Sequence, residues 1–415
     1  MKDSYDVVVI GAGPAGGAAA AITAEGGLST LLVERDRVPR FHVGESLMPE
    51  CYWPLQRLGL NERVRNAGWQ IKKSVQFVTG TGKTSDPFFF RKHDERECSD
   101  TWQVERSEFD KMLFDRAAEM GADTRDETRL ADVHFDEDNR ATGVTLKTGD
   151  GEKHHISSRV VIDATGQQSF IANKLKLKVV NPDLKKSAIW GYWKNARRDE
   201  GDNEGATIIL QTADKNAWFW FIPQSRGITS VGCVGDRDYL LKGRGTTAEV
   251  YAEELANCPG LKDRLMDATQ VGGLRATKEF SYTTTQHAGS GWVLVGDAFG
   301  FIDPIYSSGV YFALEMGVKA GDAVVEGFAN DDLSGKQLSK WAGEFKEGAH
   351  WVRKLVHAFY EKEFSVGRFM KDYPQHQGNL TDLLIGRVFY DGAGDIFKDM
   401  DRSIAERKAM VETGM

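Results

Sequence analysis

The chain is poor in residues that staple or metallate a fold. Its 415 residues include four cysteines, Cys51, Cys98, Cys233 and Cys258, with no C-x-x-C pair among them. That excludes a disulfide frame or zinc ribbon and predicts reduced thiols in a cytoplasmic protein. The nine histidines show no metal-ligand spacing, and His154 and His155 sit in a polar stretch that reads as solvated, so no metal is expected. Long apolar runs are also missing. The longest stretch without a charged or strongly polar residue, Val7 to Ile22, is broken by Gly11, Gly13, Pro14, Gly16 and Gly17, which predicts no membrane span. Positive charge is not in excess: a net charge of −8 argues against a nucleic-acid partner. A strand opens within six residues of Met1, leaving no secretory leader to expect. There is no internal repeat and no low-complexity tract.

What is present is a globular composition, 41% hydrophobic and 27% charged, long enough for one or two cores that enclose a cofactor. Val7-Val8-Val9-Ile10 reads as a buried parallel strand. It runs into Gly11-Ala12-Gly13-Pro14-Ala15-Gly16, a G-x-G-x-x-G turn, and then an alanine-rich helix. The first glycine permits the tight turn, the second lets a pyrophosphate approach the backbone, and the third lets helix and strand pack closely. The phosphates belong on the helix N-terminus, where free N–H groups and the helix dipole favour anions. A second strand, Ser29 to Val33, ends in Glu34, 23 residues after Gly11 and placed to hold ribose hydroxyls. Strand, glycines, helix, strand and acid in that order predict dinucleotide binding.

Three later segments select flavin over nicotinamide. Val104-Glu105-Arg106-Ser107-Glu108-Phe109-Asp110 resembles the V-x-R-x-x-F-D segment of aromatic-hydroxylase-type flavoproteins. Val160 to Gly166 resembles their strand ending in A-T-G, and Trp292 to Ala298 their strand ending in G-D-A. The resemblance implies an α/β fold: a discontinuous Rossmann-like FAD-binding domain, residues 1–175 and 285–330, with an inserted antiparallel-sheet substrate domain at 176–284. A C-terminal helical segment is expected at 331–415, with the helical pattern starting near Gly317 and Trp341, Phe345, Trp351, Leu355 and Phe359 on a buried stripe.

Trp218-Phe219-Trp220-Phe221-Ile222-Pro223 narrows the chemistry further. Side chains alternate along a strand, so Trp218, Trp220 and Ile222 share one face and Phe219 and Phe221 the other. This W-x-W-x-I-P hexad, followed by Ser230-Val231-Gly232, resembles that of the flavin-dependent halogenases. Gly44-Glu45-Ser46-Leu47-Met48-Pro49 and Gly68 to Phe77 resemble the G-E-S-x-x-P and lysine segments of their phenol- and pyrrole-type subgroup. That register selects Lys72 and turns Lys73 the other way. Asp303-Pro304-Ile305-Tyr306-Ser307-Ser308-Gly309 resembles the subgroup's D-P-x-F-S-S-G loop, with tyrosine in place of phenylalanine.

The resemblance implies an FADH2-dependent halogenase in which oxygen and chloride or bromide give hypohalous acid. That acid is directed onto an electron-rich phenol or pyrrole by Lys72, either as hydrogen-bond donor or as haloamine. It assigns Gly11, Gly13, Ala15, Gly16, Glu34, Arg35, Ser46, Arg106, Asp297 and Gly309 to the cofactor, and Ser308 and Gly309 to the halide. Trp218, Trp220, Ile222 and Pro223 become the tunnel wall. The implied partners are a separate flavin reductase and a small aromatic, free or tethered to a carrier protein. Two alternatives share the FAD motifs: a geranylgeranyl-reductase-like or aromatic-hydroxylase-type oxidoreductase, and a flavin-binding remnant without turnover.

Overall fold

A strand that is apolar on both faces is stable only inside a sheet covered on both sides, and Ser4–Ile10 occupies such a place. The computed structural model describes residues 1–278, 281–362 and 364–413. In it Ser4–Ile10 pairs in parallel with Thr30–Val33 on one side and Lys153–Asp163 on the other. Asp123–Arg125 extends this sheet at one edge, and Trp292–Leu294 followed by Ala288–Gly289 at the other. A hairpin, Thr128–Phe135 with Ala141–Thr148, joins through Lys153–Asp163. The helix Pro14–Glu25 leaves the central strand and packs against the long helix Ser308–Ala329. The latter begins nine residues before Gly317, because the chain turns at Ser307, whose φ is 60°.

The second sheet has seven strands in the order Thr269–Lys278, Lys186–Lys194, Ile228–Asp236, Ala217–Pro223, Thr207–Gln211, Ser74–Val78, Phe88–Phe89. It is antiparallel except where Thr207–Gln211 pairs in parallel with Ser74–Val78. Two of its strands therefore come from within the first 175 residues, and the two sheets interleave along the chain. A two-stranded ribbon, Gln70–Lys72 with Thr101–Gln103, crosses between them. The hexad strand is buried at all seven residues. Its two faces serve different cores: Trp218, Trp220 and Ile222 join the cluster around the first sheet, Phe219 and Phe221 a smaller one behind the second.

Helices Ala342–Tyr360, Val366–Asp372, Gln377–Ile385 and Ile396–Thr413 complete the fold. Trp341, Phe345 and Leu355 are buried in the stripe; Trp351 is half-buried and stacks on Phe397, while Phe359 meets Trp218 edge to face. No described helix is long and apolar enough to cross a membrane.

Candidate functional site

A cavity of about 440 Å³ lies between the two sheets, and its wall runs from Glu34 and Arg35 at one end to Trp190, Trp220 and Ser307 at the other. The Gly11–Pro14 turn forms part of it. Gly11 has φ +101°, and a Cβ there would lie 2.4 Å from the Ala164 carbonyl oxygen, so the turn admits only glycine. The following helix carries Pro14 in its first turn and no side-chain cap, which leaves N–H groups available to an anion. Glu34 accepts from Ala12 N–H at 3.0 Å. Arg40, which no sequence motif marks, lies with one guanidinium nitrogen 3.9 Å from where a Gly13 Cβ would stand. These residues fit a dinucleotide diphosphate. Gly16 instead faces the Gly11 carbonyl, 1.8 Å from its would-be Cβ, and serves helix–strand packing.

Buried charges run from that end toward the middle of the cavity. Arg40 bridges Glu34 at 3.0 Å and Asp110 at 2.8 Å, and Asp110 in turn pairs with Arg106 at 2.9 Å. Burial pushes the Asp110 carboxyl up, but Arg106 and Arg40 outweigh it and hold it below the ordinary range. Arg106 lines the cavity while donating to the carbonyls of Val43 and Gly44. Asp297 also lines it, its carboxyl pushed up by burial to about 6. Among the described residues no donor is recorded on that carboxylate, a fit for the hydroxyls of a ribityl chain.

At the far end Trp220 and Ile222 border the cavity, whereas Trp218 and Pro223 do not. Trp218 lies one layer out, 6.3 Å from Trp220 between ring centres, and donates from Nε1 to the Tyr360 hydroxyl at 3.0 Å. Tyr360 donates to Asp303 Oδ2 at 3.0 Å, and Asp303 Oδ1 accepts from Ile305 N–H at 3.0 Å. The helix Ala342–Tyr360 is thus tied to both the tryptophan wall and the loop before Ser307. In that loop Ser307 and Gly309 face the cavity, while Ser308 is buried at the start of the helix and does not. The left-handed turn at Ser307 thus sets Ser307 and Gly309 along the cavity and turns the Ser308 side chain away from it.

Lys72 is 3% exposed and stands one hydroxyl away from the cavity. Its Nζ donates to Ser46 Oγ and to the Leu47 carbonyl, both at 3.0 Å, and lies 5.6 Å from the Phe90 ring centre. Burial with no carboxylate partner pulls the ammonium down to about 7. Lys73 points away and pairs with Asp202. Nearby, Glu45 lines the cavity and accepts from the Tyr192 hydroxyl at 2.7 Å, with burial raising its carboxyl. Glu50, Asp94 and Cys98 bring three metal-type ligand atoms within 4.8 Å of one another. Arg96 donates to both carboxylates, so that cluster is already compensated by a guanidinium.

Comparison with known proteins places this architecture. The FAD binding domain family matches residues 4–319. A flavin-dependent halogenase of Armillaria mellea is 33% identical over 340 residues, covering 77% of this chain and 67% of that protein. The chain spans about two thirds of the length of the fungal relatives it matches. A 1H-pyrrole-2-carbonyl-(peptidyl-carrier protein) brominase of Pseudoalteromonas luteoviolacea is 33% identical over 335 residues, 79% of each chain. Among solved structures, the flavin-dependent brominase Bmp2 superimposes with a TM-score of 0.87 at 30% identity, covering 97% of this chain and all of that one.

Proposed function

The chain belongs to the flavin-dependent halogenases, and from that premise we propose that it halogenates an electron-rich phenol or pyrrole by way of Lys72. One observation carries the proposal. Lys72 is a buried, uncompensated amine, titrating near neutrality, that reaches the cavity through a single hydroxyl. A structural lysine is normally paired with a carboxylate, since an unpaired buried charge is costly; this one meets only neutral acceptors and an aromatic ring. Bound reduced FAD, with oxygen, supplies the oxidation that turns halide into hypohalous acid.

The protein's own groups do the rest. The open N–H groups after Gly13, together with Arg40, hold the diphosphate; Arg106 and Asp297 fix the flavin end. Ser307 and Gly309 offer the turn in which a halide is held. Trp190, Trp220 and Ile222 wall that end with apolar surface and keep it dry. Lys72 then orients the electrophile. A separate reductase supplies the reduced flavin, and the carrier-bound pyrrole in the brominase's name makes a tethered substrate worth including.

Mass spectrometry of reactions with a flavin reductase, NADH, oxygen and bromide tests this, over free phenols, free pyrroles and a carrier-bound pyrrole thioester. Wild type is expected to give a bromine isotope doublet, and Lys72→Ala to lose it with FAD still bound. Hydroxylated or reduced products from wild type, or equal bromination by Lys72→Ala, would overturn the proposal.

A further inference from the structure

Lys72 does not border the cavity, but two hydroxyls beside it do. Ser46 Oγ lies 3.0 Å from Nζ and 2.7 Å from Thr207 Oγ1, and Gln103 Nε2 donates to Thr207 Oγ1 at 2.9 Å. Gln103 Nε2 also donates to the Gly205 carbonyl at 2.9 Å, which fixes the amide's orientation: its oxygen there would oppose another acceptor. All four side chains are buried. They sit on separate elements: Ser46 before the ribbon, Lys72 and Gln103 on its two strands, Thr207 at the start of a strand of the second sheet.

We propose that Ser46 and Thr207 are positioning residues forming a two-hydroxyl relay, which sets the charge state of Lys72 and passes its proton to and from the cavity. The relay rests on Lys72 being the halogenating lysine. The hydrogen-bond inventory dictates its direction. With Lys72 as ammonium, Nζ donates to Ser46, Ser46 donates to Thr207, and both acceptor positions of Thr207 are filled by Ser46 and Gln103. The Thr207 proton is then free to point into the cavity it borders. With Lys72 as amine, the two hydroxyls turn round: Thr207 donates to Ser46, and Ser46 to the nitrogen lone pair.

Such a reversal suits the reaction. When an aromatic carbon takes halogen from hypohalous acid, the oxygen–halogen bond breaks and the carbon–halogen bond forms. The oxygen leaves as water after gaining one proton, and the ring afterwards loses one. The relay gives the first proton through Thr207 and recovers the second, while Lys72 passes from ammonium to amine and back. The groups facing Lys72 leave it free to do so. Cys51 is a buried thiol pushed up to about 12, and Leu47 and Phe90 carry no charge. Glu45, next to Ser46, is engaged by Tyr192.

The test is an NMR titration of FAD-loaded protein labelled at lysine Cε, with the Lys72 signal identified by its loss in Lys72→Ala. Wild type should titrate near 7. Thr207→Val keeps the shape but removes the acceptor that supports the ammonium arrangement, so the midpoint should fall by about one unit. Ser46→Ala should move it the same way, and Thr207→Ser should restore it. Bromination of phloroglucinol, fed by a flavin reductase, should fall roughly 100-fold in Thr207→Val and recover in Thr207→Ser. An unshifted midpoint in both Thr207→Val and Ser46→Ala would overturn the relay and leave the lysine's role standing. Lys72→Ala brominating like wild type would overturn the lysine's role, whatever the titration shows.

Discussion

A single hydrogen atom decides whether Trp220 can lie where it does. Gly232 stands opposite it on the neighbouring strand, and a Cβ there would come within 2.1 Å of the indole ring. Two residues earlier, Ser230 Oγ accepts the indole N–H at 3.1 Å. Ser230-Val231-Gly232 is therefore the complement of the hexad: a hydroxyl to hold the ring and a gap to receive it. Gly232→Ala should displace Trp220 from the cavity wall at a cost of about 1–3 kcal/mol, the range for overpacking a core. The expected readings are a lower Tm, altered tryptophan fluorescence and lost bromination; a variant with wild-type values in all three would refute the pairing. Single residues were unevenly legible. The resemblance to the family's lysine segment singles out Lys72, which the fold buries, while Lys73 turns toward Asp202. Which serine of Ser307-Ser308 faces the cavity depends on a left-handed backbone turn at a non-glycine residue, and no pattern of residue types announces that.

At the scale of elements, the C-terminal helix Ala342–Tyr360 is what braces the hexad strand. Its amphipathic stripe is readable in the sequence, but its last residue, Tyr360, is the one that reaches both Trp218 and Asp303. Such a contact between distant segments leaves no local mark. Asp303 pins the loop before Ser307 through Ile305 N–H and is itself wholly enclosed, so burial pushes its carboxyl up to about 7. Tyr306 faces it as a neighbouring phenol, and Lys186, paired with Asp236, supplies the nearest positive charge. In the unfolded chain the same group titrates near 3.9. Between those values the folded protein holds a proton that the unfolded chain has lost. The stability from Asp303 is thus complete below about pH 4 and declines as pH rises to about 7. Asp303→Asn keeps the acceptor for Ile305 and removes the titration. Its Tm should gain on wild type progressively from pH 4 to 7 and hold a constant lead above that. A lead that does not change with pH would show that Asp303 is not protonated in the folded state.

For the molecule as a whole, the nucleotide half was legible because its signals are local: strand, glycine turn, helix, strand and acid occur within 34 residues. The second sheet was legible as an antiparallel sheet, but not with the two strands it takes from the first 175 residues. Ser74–Val78 joins Thr207–Gln211 across more than 120 residues, and side-chain alternation says nothing about which strand a strand will pair with. The interleaving means that the cavity is closed by segments from both halves, and a cofactor in it ties them together. Arg40 is the test of that tie. Its guanidinium neutralises two buried carboxylates, Glu34 and Asp110, beside the Gly13 turn. Arg40→Ala would leave both carboxylates facing an incoming diphosphate with one cation fewer, so FAD should bind at least tenfold more weakly. A ligand at a hundred times its Kd adds about 2.7 kcal/mol to stability, and a tenfold weaker Kd removes about 1.4 of it. The gap in Tm between FAD-loaded and FAD-stripped protein should therefore shrink by about half in Arg40→Ala at the same FAD concentration. If the gap stays as wide as in wild type, Arg40 serves only the internal ion pairs and the diphosphate is held by backbone N–H groups alone.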